Sequence, residues 1–296
     1  MMIKKIFKAG THLIRNTIRS QRRVLCAKRE AENAFSDINN PPVIIYQMGK
    51  VGSITISTSL KESSLVNPVL NMHFLSAELS RITKYIKKTG VYPFPHHIYI
   101  GKATQRELEK HPNFPIKIIT LVRDPIAFVV SGLFQNPYFV KENIKTMDGR
   151  MDSTKIIDYL GRKLREPDTF DYIYTWFDKE LKTVFDIDVF EKPFPVETGI
   201  GHYQKDNIQV LLIRLEDLSD IGTKAIAEFL DMDAQLILKK ANVRAELNES
   251  DAYLEVLNNL SVDPDLCREI YSSRYVRHFY NEEMINKFIS RWTSVS

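Results

Sequence analysis

The chain has 296 residues, 44% of them apolar and 26% charged, with a formal net charge of +4. That composition suits a globular chain able to bury a sizeable core, and it excludes a disordered chain, a collagen-like fibre and a disulfide-stapled miniprotein. The two cysteines, Cys26 and Cys267, are too few for a disulfide framework or a cysteine-based zinc site, so inert thiols in a reducing compartment are expected.

The charge is uneven. Residues 1–40 hold nine Lys/Arg against three acidic side chains, a balance of +6, whereas the other 256 residues balance at −2. A general nucleic-acid binder carries its basic residues on the folded body, so nucleic acid is not expected as a partner. Within the segment Ile3, Ile6, Phe7, Ile14, Ile18 and Leu25 recur at helical spacing, with Lys and Arg on the other face, which predicts a basic amphipathic helix. Its apolar runs fall far short of the roughly 20 residues of a bilayer crossing, and charges interrupt any signal-peptide core. Two readings are open: a peripheral anchor on an anionic membrane surface through residues 1–28, or a helix packed on the body or on a second subunit. Asn39-Asn40-Pro41-Pro42 stops the helix. The expected organisation is therefore a basic tail, 1–40, and one α/β domain, 41–296, cytoplasmic and peripheral on the inner membrane face if the tail binds lipid.

After the Pro-Pro stop, residues 43–48 (VIIYQM) form an apolar run suited to a strand buried on both faces of a parallel sheet. Runs of the same kind at 69–74, 97–100, 116–122 and 208–213 are expected to be further strands, with helices at 54–62, 76–88, 103–110 and 222–230. Alternating strand and helix predicts a doubly wound α/β fold, a parallel sheet with helices on both faces. Ligands in such sheets bind beyond the carboxyl ends of the strands, so the residues directly after each run are the candidates.

Gly49-Lys50-Val51-Gly52-Ser53-Ile54-Thr55 follows the first run and leads into a helical pattern. Glycines that allow close approach, a lysine and the first free N–H groups of a helix together make an anion cradle. It is not a Walker A loop, because the lysine comes early and the hydroxyls late. The fourth apolar run ends in Arg123-Asp124-Pro125, where Asp124 is a good N-cap and Pro125 a good first helical residue. Arg123 then stands at the end of a buried strand, with a guanidinium fork suited to a phosphate, and Ser131 follows two helical turns on. The alternatives are a structural turn with a solvated lysine, and an arginine paired with a local acid.

Together QMGKVGSITI and RDPIAFVVS resemble, in order, the two nucleotide-binding signatures of sulfotransferases that use 3′-phosphoadenosine 5′-phosphosulfate (PAPS). The wording GKVGS, NMHFLS, LVRDPI and SGLFQN resembles a bacterial branch of capsular polysaccharide synthesis or sulfotransferase-like proteins, and LLIRLEDL (211–218) resembles a further shared segment. The similarity spans roughly residues 43–230. It implies a P-loop-like sulfotransferase fold and PAPS as co-substrate without a metal. It implies that Lys50 meets the leaving oxygen and that Gly52, Ser53 and Ile54 offer N–H groups to the phosphosulfate, with Thr55 contributing. Arg123 and Ser131 would hold the 3′-phosphate. Ile54 departs from the family, which more often has Ser or Thr there. The Arg-Lys-Gly clamp of the cytosolic branch is missing, leaving Arg274 or Arg277 as substitutes.

Attack by an acceptor hydroxyl calls for a base, and histidine titrates near neutrality. His73, after the second run, is preferred, then His97, while Lys102 is weaker. His12, His96, His111, His202 and His278 have less to recommend them. Phe170, Tyr172, Tyr174, Trp176, Phe177, Phe185, Phe190, Phe194 and Tyr203 form an aromatic-rich insertion, either a sugar platform or simply core. Lys192, Lys205 and Arg214 are candidates to greet an acidic glycan, and Asp178, Glu180 and Glu216 are equally readable as surface or capping residues and as substrate contacts. The leading expectation is sulfuryl transfer to a glycan or glycolipid hydroxyl. A catalytically silent component of capsular polysaccharide assembly and a P-loop kinase are the alternatives, the kinase disfavoured for want of a Walker A loop and a magnesium carboxylate.

Overall fold

A computed structural model describes residues 2–88, 94–135, 140, 143–234, 236–239 and 250–294, with backbone alone over 2–17. β1 (Val43–Tyr46) is fully buried, as its uninterrupted apolar sequence requires. β2 (Val69–Met72) and β3 (Ile116–Val122) flank it in parallel. β4 (Ile200–Lys205) pairs antiparallel with β5 (Ile208–Arg214), which is itself parallel to β3. The order β2-β1-β3-β5-β4 reverses direction at β1. The chain leaves β1 for β2 on one side and returns to β3 on the other. Such a reversal opens a crevice beyond the carboxyl ends of the two central strands.

Helices cover both faces of the sheet. Asn71, in register with Ile45, hydrogen-bonds through Nδ2 to Ser57 (3.2 Å) on α2 (Ser53–Lys61). Tyr46, the next residue along β1 and so directed the opposite way, packs edge-on against Trp176, ring centroids 5.0 Å apart, at the end of α7 (Asp171–Trp176). The expected α/β architecture is present, but the sheet expected to be parallel is only mostly so, since β4 runs antiparallel to β5. The strands expected at 43–48, 69–74, 116–122 and 208–213 are β1, β2, β3 and β5, and α2, α3 (Glu78–Lys88) and α9 (Thr223–Phe229) occupy three of the predicted helical stretches.

Two elements differ from the sequence reading. Residues 97–100, expected as a strand, begin α4 (His96–Lys110). A four-residue apolar run cannot distinguish strand from buried helix, and this one is buried because α4 lies between neighbours. Ile98 packs with Phe74, Leu79 and Ile86, while Tyr99 and Ile100 join the main core. Gly101 permits the contact, since a Cβ there would lie 2.7 Å from the Phe74 carbonyl oxygen. The edge strand β4 was not expected, because its residues are largely polar and half-exposed and make no apolar run.

α1 (Met2–Ala34) is a helix, as predicted. Ser20, Ala27, Ala31 and Ala34 are buried on the body, a face of small residues against α4. Ser20 Oγ lies 2.9 Å from the Tyr99 hydroxyl, Arg23 Nη1 donates to the Phe94 carbonyl (2.7 Å), and Glu30 meets His96 (3.0 Å) and Lys61 (3.3 Å). The docked face is not the apolar one predicted, because Ile18 and Leu25 remain 46% and 57% exposed. Among the described residues no helix is long and apolar enough to cross a membrane. Cys26 is exposed, Cys267 is buried, and both are free thiols.

The carboxyl-terminal helices α10 (Ser250–Asn259), α11 (Pro264–Tyr271), α12 (Arg274–Phe279) and α13 (Glu282–Thr293) are tied to the sheet through Asp124. Its Oδ1 accepts from the Ile126 N–H (2.9 Å), capping α5 (Pro125–Gln135) as predicted, and from the Tyr271 hydroxyl (2.6 Å). Its Oδ2 accepts from Trp292 Nε1 (2.8 Å). Burial pushes the Asp124 carboxyl above the usual range, and these donors pull it back. Asp124→Ala removes a cap and leaves two buried donors unpaired, so it is expected to cost about 3 kcal/mol or more, against about 1 kcal/mol for Tyr271→Phe. Urea unfolding of both variants checks the ranking.

Candidate functional site

The turn after β1 carries two left-handed residues, Lys50 (φ 71°) and Gly52 (φ 86°). Gly52 needs that freedom twice over, since a Cβ on it would lie 3.1 Å from Leu215 Cδ1. α2 starts at Ser53 with no side-chain cap on Gly52. The N–H groups of its first turn, those of Ser53, Ile54 and Thr55, are therefore open to an outside acceptor at the positive end of the helix. Ser53 is buried, Thr55 half-buried and Ile54 exposed.

Arg123 directly follows β3 and reaches across. Its Nη1 donates to the Lys50 carbonyl (2.7 Å), so the two predicted turns meet beyond the carboxyl ends of β1 and β3. The Arg123 backbone is clamped in turn by the Tyr275 phenol, which accepts from its N–H and donates to its carbonyl, each at 3.0 Å. Glu216, just after β5, accepts from the Asp124 N–H (2.9 Å) and from the Tyr280 hydroxyl (3.2 Å). Ser131 lies half-buried on α5 and makes no hydrogen bond to Arg123 among the described residues.

His73 and His97, the two preferred bases, are brought together with ring centroids 4.7 Å apart. His97 comes from the first turn of α4 and His73 from the turn after β2. Burial lowers the His73 pKa to about 4, partly offset by the Gln47 carbonyl and reinforced by the Lys50 charge. Burial likewise lowers His97 to about 3, with His73, Lys50 and His96 adding to the effect. Both rings are therefore neutral at neutral pH, and the Lys50 ammonium lies close enough to act on each. His73 Nδ1 is 2.9 Å from the Gln47 carbonyl oxygen. A carbonyl only accepts, so in the neutral ring Nδ1 carries the proton and Nε2 the lone pair. A Cβ on Gly49 would lie 3.9 Å from that Nε2, so Nε2 lies beside the start of the turn after β1.

Side chains far away in sequence hold these groups. Trp176 Nε1 donates to the His73 carbonyl (3.0 Å). Beyond Trp176 the helix widens into a π-helical stretch, Phe177–Lys182, which sinks Glu180 to 1% exposure. Its carboxylate accepts from the Leu75 and Ser76 N–H groups (2.8 and 3.0 Å), from Ser76 Oγ (2.7 Å) and from the Tyr46 hydroxyl, fixing the turn that carries His73. The Tyr172 hydroxyl accepts from the Gly49 N–H (3.3 Å), and burial pushes its own pKa up. None of these partners was assigned from sequence. Tyr172 and Trp176 stand only among the aromatic insertion, and Glu180, open to a surface, capping or substrate-contact reading, is a buried brace.

The insertion is mainly core. Phe170, Trp176, Phe177, Phe185 and Phe194 are buried, while Tyr172, Tyr174, Phe190 and Tyr203 pack partly buried against them. Arg214 is a correction. Only 3% exposed, it donates to Asp217 (2.5 Å) and the Val196 carbonyl (2.7 Å) and is not available to an acceptor. Lys205 pairs with Asp186 (2.8 Å), and Arg274 stacks over Phe190 (3.9 Å) near Asp178 (3.5 Å). Lys192 and Arg277 are exposed, and Lys102 is half-buried on α4. His278 bonds the Val189 carbonyl (2.9 Å), His111 sits by Glu107 (3.7 Å) and His202 is exposed on β4. The side chain of His12 lies outside the described residues.

Fold and site together describe an α/β protein with a left-handed, uncapped turn at a helix start and a neutral histidine pair at the reversal of a mostly parallel sheet. Residues 148–281 match the model of a family described as "NKWYS: Putative capsular polysaccharide synthesis protein", so this part of the chain is similar to that family. No curated protein and no solved structure matches the chain. The matched stretch contains Tyr172, Trp176, Glu180, Glu216, Tyr275 and Tyr280, the residues that hold the crevice, and not Lys50, His73, His97 or Arg123 themselves.

Folding holds both histidines neutral, with pKa values of about 4 and 3, whereas in the unfolded chain they protonate near pH 6.5. Their contribution to stability is therefore complete above pH 6.5 and declines as pH falls toward 4. Urea unfolding at stepped pH is expected to show wild-type stability falling more steeply between pH 6.5 and pH 4 than that of a His73→Gln/His97→Gln variant. Parallel slopes would contradict the assignment.

Proposed function

We propose that the protein is a sulfotransferase that moves the sulfuryl group of 3′-phosphoadenosine 5′-phosphosulfate to a hydroxyl of a carbohydrate or lipid-linked glycan. The observation that carries this reading is the 2.7 Å hydrogen bond from Arg123 to the Lys50 carbonyl, which joins two anion-binding turns beside the histidine pair. The similarity of residues 148–281 to a capsular polysaccharide synthesis family supports a glycan acceptor.

In the transfer, the bond from sulfur to the bridging oxygen breaks as the acceptor oxygen bonds to sulfur, and charge builds on the departing bisphosphate. Positioning and fixed dipoles dominate such a step. The Lys50 ammonium neutralises the departing oxygen, and the N–H groups of Gly52, Ser53 and Ile54 hold the phosphosulfate. A backbone donor does not depend on the side chain, so the isoleucine at 54 is no obstacle. Arg123 spends one of its five N–H donors on Lys50 and uses others, with Ser131, on the 3′-phosphate. His73 Nε2 takes the acceptor proton. Burial, which lowers the His73 pKa to about 4, makes the charged ring unfavourable, so the proton passes on to solvent before the next turnover.

Adenosine 3′,5′-bisphosphate is expected to raise the melting temperature more than AMP or ATP does, and equal shifts would exclude a 3′-phosphate pocket. Arg123→Ala is expected to weaken bisphosphate binding roughly 30- to 1000-fold, the worth of a charge-assisted contact, and Lys50→Ala to abolish transfer of labelled sulfate. With His73 lowered to about 4, the rate is expected to stay level from neutrality down to about pH 5.5. A rate that halves near pH 6.5 would point to a different, solvated base.

A further inference from the structure

The first helix has two faces with opposite characters. Ser20, Ala27, Ala31 and Ala34 are buried on the body. On the other side Ile18, Arg22, Leu25 and Arg29 follow one another at intervals of four, three and four residues, one helical stripe, and all four are exposed. The stripe therefore combines two large apolar side chains with two arginines. The acidic groups nearby do not cancel them. Glu30 is taken by His96 and Lys61, and Glu32 lies 3.5 Å from Lys28. The helix continues back to Met2, and in sequence Ile14, Phe7 and Ile3 precede Ile18 by four, eleven and fifteen residues, the same periodicity.

We infer that this outer stripe of α1 docks on an anionic lipid bilayer. The argument is charge complementarity. Isoleucine and leucine side chains enter the boundary between headgroups and acyl chains, while arginines at the same level meet lipid phosphates. Each basic residue near an anionic surface strengthens attachment about fivefold. A second copy of the chain is a poorer occupant, because two such stripes laid together bring Arg22 and Arg29 against like charges. The helix is held to the body by Ser20–Tyr99, Arg23–Phe94 and Glu30–His96, at the start of the element that carries His97. The bilayer is thereby coupled to the crevice, and docking itself does not depend on the reaction proposed above.

The test is co-sedimentation of the full chain with vesicles of phosphatidylcholine alone or mixed with phosphatidylglycerol, at low and high salt. Wild type is expected to bind the anionic vesicles, to be released by salt, and to ignore the neutral ones. Ile18→Glu/Leu25→Glu and, separately, Arg22→Gln/Arg29→Gln are expected to lower binding roughly tenfold or more, with unchanged melting temperature because these side chains touch no core. If the first variant misfolds, the second carries the test alone. Absence of binding, equal binding to neutral vesicles, or full binding by the folded variants would overturn the inference. So would a concentration-dependent dimer that Leu25→Glu dissolves in the absence of vesicles.

Discussion

The crevice depends on one hydrogen bond, from the Arg123 guanidinium to the carbonyl of Lys50. Parallel pairing of β1 with β3 brings the two turns side by side, but it does not fix their conformation. Lys50 adopts a left-handed backbone at φ 71°, which for a residue with a side chain costs about 1 kcal/mol or more. The bond to Arg123 offsets that cost and fixes the direction of the carbonyl. The neighbouring residue in sequence, Asp124, faces the other way and is held by Tyr271 and Trp292. Two adjacent side chains thus divide the work: one closes the cradle and the other secures it to the carboxyl-terminal helices.

A second constraint acts from the opposite face. Glu180 is a buried carboxylate whose partners are neutral donors: two backbone N–H groups, a serine and the tyrosine that ends β1. An unpaired charge at that depth would be prohibitive, so its donors are held as firmly as it holds them. Through Tyr46 and the 74–76 turn it locks the end of β1 to the turn bearing His73, and Trp176 grips the His73 carbonyl. The neutral state and fixed tautomer of His73 follow from this enclosure and from the Gln47 carbonyl.

What could be read from the sequence is what is local. An apolar run followed by Gly-Lys or by Arg-Asp-Pro identifies a buried strand, its exit turn and the helix after it, so Lys50, Gly52, Arg123 and the capping role of Asp124 were visible. His73 and His97 were found by their position after or within such runs, though His97 was placed on a strand and stands on a helix. The supports were hidden because each acts across a long stretch of chain, such as 105 residues between Leu75 and Glu180 and 152 between Arg123 and Tyr275. A buried glutamate with neutral partners leaves no pattern in the residues around it. Arg214 misled for the same reason: a basic residue after a strand suggests a ligand, and only its packing against Asp217 and Val196 reveals a structural fastening.

The four fastenings of α1 all fall on the short stretch from Phe94 to Tyr99 or on the end of α2 at Lys61. Among the described side chains of this 33-residue helix the fastenings run from Ser20 to Glu30, and one of them falls on His96, the residue directly before His97. A shift of α1 against α4 is therefore felt first at the residue beside the paired imidazoles.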